Sequence, residues 1–207
     1  MEKATNVLTH FSEWVMNLFL LHIYWIGGTL LGGILFGIIP SSIALFSTIR
    51  KLFTDSSRIN LFNYFKEEYK INFKNSIFIG FIYLLIGLFI YSYITFLNAT
   101  TNTLLAYTHI FIYTFLFLMI LFSFYLIPVY VHYEMSNKRL IPNTLRILFT
   151  SMKWNFPMFF TVLAVILIYI RFSVSLMFFG ISLPALVITY FCRKSFQDFK
   201  DKQTTIK

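Results

Sequence analysis

Acidic side chains are scarce here: eight Asp and Glu stand among 207 residues. Charges of both signs make up 12% of the chain, against roughly 25% in an average soluble domain. That is too little charge to coat a soluble globule of this size. A single cysteine, Cys192, excludes an internal disulfide and a zinc site built from thiolates. There is no Gly-x-x-x-x-Gly-Lys phosphate loop, no His-Glu-x-x-His, and no nucleophile beside a base at recognisable spacing. His10, His22, His109 and His132 lie in separate segments, none with a second ligand three or four residues along. The reading is therefore of a chain with no catalytic residue, no metal site and no cofactor. Neither a basic n-region nor a small-x-small cleavage site marks the start, so the first apolar segment is expected to stay in the protein.

What is present is apolar and aromatic. Hydrophobic residues make up 58% and the mean hydropathy is +0.74. They fall into three blocks, Trp14 to Ile49, Ser76 to Val131 and Asn155 to Cys192, in which Arg171 is the one charged residue. A helix needs about 20 apolar residues to cross about 30 Å of hydrocarbon. Backbone groups must pair within lipid, so helices are the default spanning structure. The second block would reach about 80 Å as one helix and is divided by Asn98-Ala99-Thr100-Thr101-Asn102-Thr103. The third is divided near Arg171, which snorkels to the interface on this reading. The sequence thus predicts one all-α transmembrane domain over 1–207, with five spans near 25–46, 77–97, 104–130, 156–170 and 174–191. Residues 11–24 are read either as an interfacial lead-in or as an extension of the first span. Without Asp or Glu in any span, a proton- or ion-coupled transporter is disfavoured.

The basic residues are segregated. Arg50, Lys51, Arg58, Lys66, Lys70 and Lys74 lie in 47–75; Lys138, Arg139, Arg146 and Lys153 in 132–156; five more follow Cys192. Five spans place these segments on one side, which the positive-inside rule makes the cytoplasmic one. The expected orientation has the N-terminus outside and the C-terminus inside. The net charge of +9 is then explained by topology and anionic lipid, and nucleic acid is not an expected partner.

Two cytoplasmic amphipathic helices are expected. Lys70-Ile71-Asn72-Phe73 matches Lys153-Trp154-Asn155-Phe156, and Phe62, Phe65, Tyr69, Phe73 match Leu145, Leu148, Met152, Phe156 at the same spacing of three, four and four. With Ile39-Pro40 and Ile127-Pro128 each read at the cytoplasmic end of a span, this describes a parallel internal repeat. Lys66, Lys70, Lys74, Arg146 and Lys153 either anchor these helices at the headgroups or form a docking surface for a partner. Gly28, Gly32, Gly33 and Gly37, with Gly80 in the second span, are placed as close-packing positions, within this chain or against another copy.

Taken together, the chain resembles the YesL-like family of bacterial membrane proteins, a domain family of unknown function. The resemblance rests on Asn17 and Trp25 in the first span and on the turn Pro40-Ser41-Ser42-Ile43-Ala44-Leu45 leading to Arg50-Lys51. It continues through the aromatic helix with Phe62, Tyr64, Phe65 and Tyr69, ending in Asn72-Phe73-Lys74-Asn75-Ser76. It implies a non-catalytic membrane accessory to oligosaccharide import, with the permease or ATPase subunits of an ABC importer as partners. It carries over no sugar-binding residue. Two other readings stay open: a transport subunit or channel in its own right, and a membrane enzyme in which His22, His109 and Arg171 converge.

Overall fold

A computed structural model describes residues 2–34, 36–54, 60–99, 106–133 and 137–205, without the side chains of 2–7, 10–11, 97–99, 106–112, 137–138 and 203–205. The described residues form helices and no strands: α1 (Glu2–Leu31), α2 (Ile38–Thr54), α3 (Leu61–Ala99), α4 (Ala106–Tyr133), α5 (Asn137–Thr150), α6 (Met152–Arg171), α7 (Ser173–Phe179) and α8 (Ser182–Thr205). Four stretches are long and apolar enough to cross a bilayer: Ser12–Leu31, Leu61–Phe96, Tyr113–Tyr133 and Met152–Arg171. α7 and α8, bent by 69° at their junction, make a fifth if taken as one span.

The expected first span at 25–46 is corrected. The chain turns back between Leu31 and Ile38, so residues 12–24 belong to the first span and 38–54 form a separate return leg. Gly33 and Ile34 have positive φ, 71° and 61°, and Gly33 supplies the conformation that glycine adopts without strain. The turn pairs its own backbone: Ile34 N–H donates to Thr29 O at 2.9 Å, and Ile38 N–H to Ile34 O at 3.0 Å. Leu31, at 87% exposure, with exposed Ile34 and Phe36, gives the turn an apolar surface. An apolar, self-paired turn is compatible with lipid.

α2 runs antiparallel to α1. Trp14 packs on Phe53 at 5.1 Å, and Trp25 Nε1 donates to Ser42 Oγ at 3.1 Å. All ten residues from Pro40 to Ile49 are buried, because α2 packs against α1, α3, α4 and α8 at once. α3 and α4 form an antiparallel pair, with Phe89 on Phe115 at 5.2 Å and Tyr83 donating to Ser123 O at 2.6 Å. α6 and α8 form another, joined by Trp154 Nε1 and Asp198 at 2.9 Å. Leu21, Ile43, Ile49, Ile79, Leu126 and Met158 are among the fully buried side chains of the common core.

The return leg also changes where the ends lie. α1 is antiparallel to α8, since Trp14 lies by Tyr190 and Phe191 while His22 meets Ile181. The start of α1 therefore lies at the same end of the bundle as the finish of α8, not at the opposite end as five simple spans require.

The repeat survives in part. Asn72 and Asn155 occupy corresponding places, but α3 runs unbroken through its copy whereas Ser151 separates α5 from α6. Pro40 lies in the first turn of α2 and Pro128 lies near the end of α4. The two Ile-Pro pairs thus sit at opposite ends of their helices and are not equivalent.

Candidate functional site

The end of the bundle that carries the basic segments is where the chain gathers its polar groups. α2, α4 and α5 finish there, each with a cation on its last carbonyls. Arg50 Nη1 donates to Val131 O at 2.5 Å and His132 O at 3.1 Å, capping α4. Arg193 donates to Phe53 O at 3.2 Å on α2. Lys202 donates to Thr150 O at 2.6 Å on α5. A helix leaves its last carbonyls unbonded and partly negative, so a cation there satisfies hydrogen bonds and complements the dipole. Arg50→Gln is expected to lower stability by about 1–2 kcal/mol. Arg50→Lys should restore only part of that, because an ammonium lacks the fork of donors. Thermal melting in detergent reads both, and an unchanged midpoint would show that the cap contributes nothing.

Beside Arg50, α2, α3 and α4 enclose a cavity of about 500 Å³. Its walls are mostly polar and partly fixed by one another. Tyr130 donates to Asn72 Oδ1 at 2.9 Å. Asn72 Nδ2 donates to Glu68 O at 2.9 Å and to its carboxylate at 3.2 Å. Ser47 and Tyr64 share a hydrogen bond of 3.3 Å. Asn75 and the exposed Ile71 complete the α3 wall.

The second asparagine of the repeat lies in the core. Asn155 is 2% exposed; it accepts from Tyr125 at 2.9 Å and donates to Leu148 O at 3.0 Å. Tyr125 also bonds Ser195 Oγ at 2.7 Å, and Ser151 donates to Ser195 O at 2.9 Å. α4 therefore supplies a tyrosine to each copy: Tyr130 to Asn72 and Tyr125 to Asn155. Both asparagines are held in place by these bonds, Asn72 against the Glu68 carboxylate and Asn155 against Tyr125 and the Leu148 carbonyl. Among the described residues no three of His, Cys, Asp and Glu stand together as metal ligands.

The candidate docking residues Lys66, Lys70 and Lys74 are exposed along α3, Arg146 is exposed on α5, and Lys153 is exposed at the start of α6. Lys66 lies 5.9 Å over the Phe62 ring. Lys153 pairs with Asp198 at 2.7 Å and, with Lys194, brackets Trp154 at 5.5 and 4.7 Å. Of the candidate packing glycines, Gly28, Gly32 and Gly37 sit at close approaches between α1 and α2; a Cβ on Gly28 would stand 2.6 Å from Ser41 Oγ. Gly33 is the turn residue, and Gly80 meets Ile39 at ordinary contact distance.

The histidines are separate where described. His22 is buried against the α7–α8 junction, where Ile181 N–H points at Nδ1 at 3.5 Å. His132 is stacked on Phe196 at 4.4 Å. Arg171 is exposed at the end of α6. The side chains of His10 and His109 lie outside the described residues, as do residues 100–103 of the expected 98–103 loop. Arg50, Tyr64, Glu68 and Tyr130 were not among the candidate site residues. Arg50 and Tyr64 stand out in the sequence only through charge and the family resemblance, and Glu68 and Tyr130 sit at no motif spacing.

A family described as "Protein of unknown function, DUF624" matches residues 18–94, the stretch holding the α1–α2 turn, Arg50 and the α3 wall of the cavity. The chain belongs to this YesL-like family of membrane proteins. Three relatives come from Bacillus subtilis (strain 168), each named as an uncharacterized protein. YesV is 30% identical over 197 residues, covering 94% of this chain and 93% of its own. YteU is 28% identical over 176 residues, 85% of this chain and 79% of its own. YesL is 24% identical over 204 residues, 97% of this chain and 95% of its own. No solved structure matches the chain.

Proposed function

We propose that this protein is a non-catalytic, multi-pass accessory of the bacterial cell membrane that assists an ABC importer of oligosaccharides by docking its permease or ATPase subunits. The observation that carries the docking role is the exposed row Lys66, Lys70 and Lys74 on α3, with Arg146 and Lys153 also exposed. The importer assignment rests on the resemblance to the YesL-like family. Positive-inside bias supports placing this end in the cytoplasm, and with it both ends of the chain. The buried polar groups support a non-catalytic reading, because Tyr125, Asn155 and Ser195 bond one another instead of converging on a cavity.

Purification of the tagged chain from native membranes in mild detergent tests this. Importer subunits should accompany the protein, and a Lys66→Gln, Lys70→Gln, Lys74→Gln variant should recover about tenfold less of them at unchanged melting temperature. Recovery that ignores these lysines would remove the docking surface from the proposal. A second reading, a transport subunit in its own right, is supported by the α7–α8 break, since transporters build substrate sites at discontinuous helices. Vesicles of the purified protein that move a labelled oligosaccharide would favour it.

A further inference from the structure

Cations and aromatic rings are interleaved where α6 meets α8. Lys194 Nζ stands over two rings at once, 4.7 Å from the Trp154 centroid and 4.8 Å from that of Tyr190. A ring face attracts an ammonium without using up its N–H groups. Lys153 lies 5.5 Å over the same indole and is fixed there by Asp198 at 2.7 Å. Asp198 also accepts from Trp154 Nε1, so its carboxylate is engaged within the cluster. Among the described residues no carboxylate pairs with Lys194.

An apolar groove of about 430 Å³ leads away from this cluster. α8 packs on α6 and on both α1 and α2, and the groove follows it. Trp14 and Phe53 line one side, Thr161 the other, and Leu186, Val187 and Phe191 of α8 lie between. The Thr161 hydroxyl donates to Pro157 O at 2.7 Å, so its proton is already used. Tyr190 belongs to both features: it lines the groove and carries Lys194. Leu186 stands about two helical turns before Lys194 on α8, which makes the slot about 12 Å deep. Read from the basic end of the bundle inward, the order is cation, aromatic ring, aliphatic wall. A lipid has the same order, from charged head to apolar tail.

We propose that the groove holds one acyl chain of an anionic phospholipid whose phosphate accepts from Lys194, with Lys153 adding its charge. Every membrane lipid can offer the chain, so the headgroup decides. A choline headgroup brings a second cation beside Lys194, whereas a glycerol headgroup brings none. The site therefore selects the lipid with net negative charge. Lys153 also belongs to the proposed docking surface; Lys194 does not, and the test rests on Lys194.

The purified full chain is reconstituted in phosphatidylcholine vesicles with rising fractions of phosphatidylglycerol brominated on its acyl chains, and tryptophan quenching is read. Trp14 lines the groove and Trp154 holds Lys194, so both report on the site. The brominated glycerol lipid should quench at a mole fraction about fivefold lower than brominated phosphatidylcholine does, the margin of one lysine. Lys194→Gln should bring the two lipids together, and Lys194→Arg should keep the preference. Arg139→Gln, the same loss of charge at an exposed position of α5, should leave it unchanged. Thr161→Phe, at an exposed position of α6, should fill the groove and weaken quenching by both lipids. Glycerol 3-phosphate should not relieve the quenching. Equal quenching by the two lipids in the unmodified protein overturns the proposal, as does a preference that Arg139→Gln lowers as much as Lys194→Gln. Relief by glycerol 3-phosphate overturns it too, since the cations then bind phosphate without the groove. Quenching by neither lipid overturns it in favour of a second copy or another helix covering the groove.

Discussion

Asn155→Leu is expected to destabilise the protein by about 2–3 kcal/mol, whereas Asn72→Leu should cost about 1 kcal/mol. The two residues occupy the same place in the repeated Lys-x-Asn-Phe, and the substitution is chemically identical. The difference lies in what remains. Without Asn155, the buried Leu148 carbonyl loses the amide that donates to it, and Tyr125 keeps only its bond to Ser195. Water cannot reach a site where Asn155 is 2% exposed and Tyr125 is 0% exposed. Side-chain hydrogen bonds in membrane proteins average well under about 1 kcal/mol when measured as pairs, but a stranded buried carbonyl adds its own desolvation penalty. Asn72 lies on a cavity wall, so solvent can replace its bonds to Tyr130 and Glu68. Denaturant titration of both variants in the same detergent measures the gap. Equal losses would mean that the core network around Tyr125 is no more demanding than the cavity wall.

Gly37→Ala should be more damaging still, by about 3 kcal/mol, and should lower the yield of folded protein. The added methyl would collide with the carbonyl and Cα of Thr29, which are backbone atoms with no rotamer to change. Relief requires α1 and α2 to separate at their turn. Gly27 and Gly87 are controls from the same sequence: a Cβ on either meets nothing within 4 Å. Their Ala variants should be neutral or slightly stabilising through helix propensity. Size-exclusion profiles and melting curves of the three Ala variants test the contrast. A well-folded Gly37→Ala protein would mean that the α1–α2 approach is looser than described.

Much of the fold was legible because lipid imposes a strict composition. The apolar blocks, the polar break after Leu97 and the basic segments each mark a boundary that water or charge enforces. The turn at 32–37 escaped because it has no polar residue. It pairs its backbone internally and lies within an apolar surface, so hydropathy runs through it unchanged. Gly32, Gly33 and Gly37 stand out in the sequence, but glycines spaced four apart read equally as a packing face of a continuous helix. That the start of α1 and the finish of α8 share one end of the bundle follows from that one turn, since an added return leg reverses the end at which α1 begins. The repeat was partly visible: a four-residue motif could show that Asn72 and Asn155 correspond. It could not show that Tyr130 and Tyr125 of a third helix hold them. Arg50 was hidden in another way. Its charge was fully accounted for by topology, and nothing local to Arg50-Lys51 records that Val131 and His132 lie within reach.

The enclosure of α2 has a consequence for how the protein is made. α2 carries Ser41, Ser42, Ser47 and Thr48 in its buried stretch, and the helices that cover it include α4 and α8 as well as its neighbours α1 and α3. α8 is made well after α2. Until it is in place, the flank of α2 that it covers lacks its final neighbour. α2 therefore reaches its final surroundings long after its own synthesis, and the growing chain must hold it in an incomplete bundle.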